Sequence, residues 1–83
     1  MKVTKYIHAC LLIDKDGSRL IIDPGSFTDL PSDLGSIVGI IVTEEHYDHF
    51  DPDNIQHILG KNPEAVIYTT QTVHDALAKL GID

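Results

Sequence analysis

Six consecutive residues, Ile37-Val38-Gly39-Ile40-Ile41-Val42, carry no polar side chain. The seven that follow, Thr43 to His49, bring three carboxylates and two imidazoles together. An apolar run of that length, entered through Gly35-Ser36 and left through charges, reads as a strand covered on both faces. Such strands belong to α/β sheets, and the loop at their carboxyl end is where those sheets place their chemistry. Imidazole nitrogen and carboxylate oxygen form the ligand set of Zn, Mn and Fe without any sulfur. In a tight loop His46 and His49 turn toward one point, with Asp48 between them.

The elements on either side are legible from turn chemistry. Residues 6–13 read as a strand, with His8 as the polar interruption. Asp14-Lys15-Asp16-Gly17 supplies a hairpin turn, its Asp-Gly pair favouring positive φ. Residues 19–22 return as the second strand, and Asp23-Pro24-Gly25 stops it, since Pro lacks the ladder N–H. Residues 26–36 read as a loop, with a helical turn expected around residues 30–34. After the motif, Asp51 caps a helix that Pro52 starts, with Ile55, Ile58 and Leu59 on one face. Gly60 and Asn62-Pro63 are expected to end it. Residues 65–69 make a last strand. Thr70 caps a second helix, whose Val73, Ala76, Leu77 and Leu80 keep the helical period to Gly81. The expected order is β-β-β-α-β-α, an α/β fold of mixed sheet, in one domain over residues 1–83.

His46-Tyr47-Asp48-His49 resembles the last four positions of the His-x-His-x-Asp-His signature of metallo-β-lactamase-fold hydrolases. Asp23-Pro24-Gly25 is similar to that family's Asp-Pro-Gly turn, and Phe50-Asp51-Pro52 to its lactonase-like members. The resemblance implies a metal-dependent hydrolase of lactone, phosphoester or thioester substrates. A divalent metal would activate water and polarise the bond to be cut. It makes His46 a ligand of one metal, and Asp48 and His49 ligands of a second. Asp48 is also the catalytic residue that steers water. Asp23 is either a turn residue or, as the resemblance implies, a carboxylate orienting a ligand histidine. His8 is either a satisfied strand histidine or a substrate contact. Glu45 faces solvent and Tyr47 packs.

Two departures from the family pattern stand out. Glu44 occupies the place of the first motif histidine, and the family's later ligands have no counterpart in these 83 residues. Zinc is the metal the family implies. A carboxylate at position 44 either keeps a site with preference moved toward Mn or Mg, or marks a site that has been crippled. The resemblance covers the N-terminal half of an αββα sandwich, so the expected chain is incomplete or weakly active alone. The alternatives are a non-catalytic metal-binding or dimerisation half-domain, or a fragment of a longer hydrolase.

Composition narrows the partners. A formal charge of −7 with only 6 Lys and Arg disfavours a nucleic-acid backbone as partner. The single Cys10 leaves no internal disulfide and reads as a small buried residue. No run reaches the ~18 apolar residues of a membrane span, and no signal peptide is legible at the N-terminus. The expectation is a soluble, cytoplasmic protein. Finally, right-handed crossovers place both helices on one sheet face. The other face then needs cover, from a homodimer or from a missing C-terminal half.

Overall fold

The computed structural model describes residues 1–6, 10–25, 35–46 and 48–82. Seven elements follow in the order β1 (Lys2–Lys5), β2 (Leu11–Lys15), β3 (Ser18–Ile22), β4 (Ile37–Val42), α1 (Pro52–Lys61), β5 (Val66–Thr69) and α2 (Gln71–Lys79). They build one mixed sheet with strands in sequence order β1-β2-β3-β4-β5. β1, β2 and β3 pair antiparallel, and β3, β4 and β5 pair parallel. The carboxyl ends of β3, β4 and β5 therefore share one edge.

There is one strand more than the sequence suggests. The apolar run at residues 6–13 is cut, because the chain reverses with Tyr6 N–H donating to Cys10 O at 2.8 Å. The preceding residues Lys2–Lys5 become a short edge strand, with lysines that discourage further pairing. The second difference is in α1, which runs through Gly60 to Lys61. Asn62 ends it instead: its Nδ2 donates to Ile58 O at 3.0 Å, while its Oδ1 accepts from Ile37 N–H at 3.0 Å. One side chain thus closes α1 and fixes where β4 begins. The expected caps are in place, Asp51 accepting from Asp53 N and Asn54 N, and Thr70 from Val73 N.

The hairpin turn has the positive φ that its sequence requires, 53° at Asp16 and 83° at Gly17. On one sheet face Leu12, Ile21, Ile40 and Val42 meet Ile55 and Ile58 of α1 and Val73 and Leu77 of α2 in a single buried cluster. Ile21 lies between Leu12 and Ile40 in register and is fully buried with Ile40. Truncating a core isoleucine of this kind to alanine costs about 2–5 kcal/mol.

Among the described residues the opposite face is apolar and uncovered by either helix. Pairing of β3 with β4 skips Val38, so that Arg19 sits opposite Ile37 and Leu20 opposite Gly39. The skip turns Ile37 into the core and leaves Val38 half exposed. A Cβ at Gly39 would lie 2.6 Å from Leu20 Cδ2, so a side chain there would make the end of Leu20 shift. Val3, Val38, Val66 and Tyr68 are each at least 50% exposed on this sheet. Met1, Ile13, Leu20 and Val38 line a hollow of about 530 Å³ on it. No helix among the described residues is long and apolar enough to cross a membrane.

Candidate metal centre

The carboxyl ends of β3 and β4 bring two distant segments together. Asp23 follows β3, and its N–H donates to Ile41 O at 2.7 Å, extending the parallel ladder by one rung. Its φ of 51° is left-handed, a conformation Asp tolerates better than most residues. That turn aims a carboxylate, only 4% exposed, at the start of the motif loop. Asp23 Oδ1 accepts from Thr43 N–H at 2.7 Å, and Oδ2 from Thr43 Oγ1–H at 2.6 Å. Oδ2 also accepts from His49 Nδ1–H at 2.8 Å. A buried carboxylate needs such donors to offset its desolvation. With the proton placed on Nδ1 by this bond, Nε2 of His49 is left as the ring's free lone pair.

The motif loop is a turn closed by His49 N–H and Phe50 N–H, both donating to His46 O at 2.9 Å. Phe50 is buried in the core and anchors the loop's far end. Ligand atoms of Glu44, Asp48 and His49 lie within 4.8 Å of one another. His49 Nε2 is 3.6 Å from Glu44 Oε1 and 3.6 Å from Asp48 Oδ2. Those separations leave room for an ion between donors that do not touch. Two hard oxygens and one imidazole facing a common point suit a divalent cation.

His46 is not in that group. Its Nδ1–H donates to Glu44 Oε1 at 2.7 Å, and its side chain is 68% exposed. Glu44 is thus placed between the two histidines. The negative neighbours hold both imidazoles protonated to higher pH than an isolated histidine. For His46 the main cause is the hydrogen bond to Glu44, helped by the charges of Glu44, Glu45 and Asp48. For His49 it is the hydrogen bond to Asp23, which outweighs the opposing effect of burial.

His8, Tyr47 and the turn expected at residues 30–34 lie outside the described residues. Glu45, His57 and His74 are exposed and Cys10 is buried. Two residues of the site had no role assigned from sequence. Thr43, a hydroxyl at the strand end, binds both oxygens of Asp23. Asn54, in the first turn of α1, donates to the carbonyls of the 23–25 turn. A hollow of about 410 Å³ lies at the sheet's other end, lined by residues such as Ile37, Asn62 and Pro63. It carries no histidine, so donor chemistry rather than concavity marks the functional edge.

Residues 2–80 match the family described as "Beta-lactamase superfamily domain". The chain is 34% identical over 68 residues to protein Rv0786c of Mycobacterium tuberculosis, covering 82% of this chain and 32% of that one. It is 33% identical over 89 residues to a UPF0173 metal-dependent hydrolase of Flavobacterium johnsoniae, covering 100% of this chain and 38% of the other. It is 30% identical over 74 residues to N-acyl-phosphatidylethanolamine-hydrolyzing phospholipase D 1 of Caenorhabditis elegans, covering 69% of this chain and 21% of that enzyme. The chain spans about a third of the length of the first of these relatives. No solved structure matches it significantly.

Proposed function

The chain belongs to the β-lactamase superfamily domain family of metallo-β-lactamase-fold, metal-dependent hydrolases, and on that premise we propose that Glu44, Asp48 and His49 bind a catalytic divalent ion. The observation that carries this is the convergence of the three donors, with His49 Nε2 left free by the Asp23 bond. His46 supports Glu44 through its Nδ1–H and holds the carboxylate toward the ion. Asp23 and Thr43 orient His49 from behind. An ion held there would polarise a carbonyl or phosphoryl oxygen and acidify water at neutral pH. Asp48, from the same loop, would take the proton of a water attacking the substrate.

Lactones and phosphoesters are the substrate classes this chemistry serves. Relatives named for an activity include a metal-dependent hydrolase and an N-acyl-phosphatidylethanolamine-hydrolyzing phospholipase D. A site with two carboxylates and one imidazole prefers a hard ion, so Mn or Mg competes well against zinc. Three ligands from one loop hold an ion weakly, and the isolated chain turns over slowly. Equilibrium dialysis against Mn²⁺ and Zn²⁺ tests this. Uptake of divalent ion by the chain, lost in Asp48→Asn and His49→Ala, is the expected result. Uptake unchanged in both variants rules the site out.

The exposed apolar face favours a second statement about the same chain. Exposed patches beyond a few hundred Å² on a soluble monomer mark interaction surfaces. The same face on a second copy matches this one in size and polarity, so the isolated chain pairs sheet to sheet about a two-fold axis.

A further inference from the structure

A set of contacts that the metal ligands themselves do not use runs from α1 to the ligand loop. Asn54 is in the first turn of α1, where its backbone N–H is capped by Asp51 Oδ1 at 3.3 Å. Its side chain leaves the helix. Nδ2 donates to Gly25 O at 2.9 Å and to Pro24 O at 3.3 Å. Both carbonyls belong to the turn whose first residue, Asp23, holds His49.

That turn is stacked against the ligands with no space to spare. A Cβ at Gly25 would run into the carbonyl of Asp48 and lie 2.7 Å from His49 N. The backbone of residues 23–25 therefore touches the very peptide that joins two ligands. The turn carries strain at Asp23, left-handed at φ 51°, and is closed by Gly25 N–H donating back to Asp23 O at 2.8 Å. Strained backbone persists only where its surroundings over-determine it. The Asn54 amide, donating from the first turn of a helix, supplies such a restraint.

We propose that Asn54 is a positioning residue for the ligand pair Asp48 and His49. By pinning the Pro24 and Gly25 carbonyls it presses the turn onto the Asp48–His49 peptide and keeps Asp23 aligned with His49 Nδ1. This rests on the metal-binding reading above. Its competitor is a purely structural role, attaching α1 to a loop. Asn62 separates the two roles, being an asparagine at the other end of α1 that bonds Ile58 and Ile37, away from the ligands.

The experiment compares Asn54→Ala and Asn62→Ala with the parent chain in Mn²⁺ titrations, denaturant unfolding, and the imidazole ¹⁵N signals of His49 without metal. Loss of a residue that orients ligands costs roughly 10–100-fold in metal affinity. Asn54→Ala is expected to show that loss and to shift the His49 Nδ1 signal. Asn62→Ala is expected to lower the unfolding midpoint while leaving Mn²⁺ affinity and the His49 signals at parent values. Parent-like affinity and signals in Asn54→Ala overturn the inference, as does a loss of affinity in both variants that tracks stability. If the parent chain takes up no Mn²⁺, the metal reading fails by itself. The His49 signals then decide the role of Asn54: a shift confined to Asn54→Ala supports it, and no shift overturns it.

Discussion

His49 donates its Nδ1–H to Asp23 Oδ2 at 2.8 Å, across 26 positions of sequence. This bond ties the end of β3 to the motif loop after β4, and it decides which nitrogen of His49 faces Glu44 and Asp48. Asp23→Asn removes the charge while keeping the side chain's size, and Asn also tolerates left-handed φ. One of its two terminal atoms becomes a donor, which cannot serve donors from Thr43 and His49 together. We expect a stability loss of about 1–3 kcal/mol from the unmatched buried polar groups. Metal affinity should fall by roughly 10–100-fold. Urea unfolding and Mn²⁺ titration check the two effects separately.

Protonation of the same histidines gives a pH dependence. His49 and His46 both have raised pKa values in the folded chain, from the Asp23 and Glu44 hydrogen bonds respectively. A histidine with a folded pKa above its unfolded one contributes stability that is full below the unfolded pKa. That contribution is lost as pH rises through the folded value. The metal-free chain should therefore melt at a lower temperature as pH climbs above the ordinary histidine range of about 6.5. Asp23→Asn should flatten the part due to His49. A melting temperature that rises over this window contradicts the assignment. Divalent-ion affinity should move the other way, growing with pH as protons leave Nε2 of His49.

Sheet pairing is tested at Tyr68, which is 56% exposed on the open face beside Gly39. The parent chain is expected to sediment as a dimer at high concentration. Tyr68→Glu places a charge on the apolar face at the edge strand β5 and should leave a monomer with its fold intact. A parent chain that stays a compact monomer at high concentration counts decisively against pairing.

The run Ile37–Val42 and the loop after it were legible because they combine two strong local signals, an unbroken apolar strand and dense charge. The helix starts at Asp51-Pro52 and Thr70 were legible from cap chemistry. The N-terminal residues read as opening a strand, but that Lys2–Lys5 is a separate edge strand was not legible, because its pairing rests on partners in β2 rather than on its own pattern. The end of α1 was misplaced for a similar reason. Gly60 is a local stop signal, but Asn62 secures two more positions by bonding to Ile37 across the fold. Around the Glu44, Asp48 and His49 cluster, the acidic and imidazole residues stand out in the sequence, whereas Thr43 and Asn54 do not. Their roles depend on where the 23–25 turn lies, which is a matter of tertiary packing. His46 shows the reverse: the motif made it a ligand, while the geometry puts its Nδ1 on Glu44.

Glu44 carries the central claim, that a carboxylate replaces an imidazole among the donors and sets the choice of ion. The most direct measurement is a paired titration of the parent chain and Glu44→His with Zn²⁺ and Mn²⁺ under the same conditions. Restoring the imidazole removes one hard oxygen and one negative charge, so zinc affinity should rise and manganese affinity should fall, inverting the preference between them. If both affinities are the same in the two proteins, Glu44 does not touch the ion, and the assignment of the ligand loop is wrong.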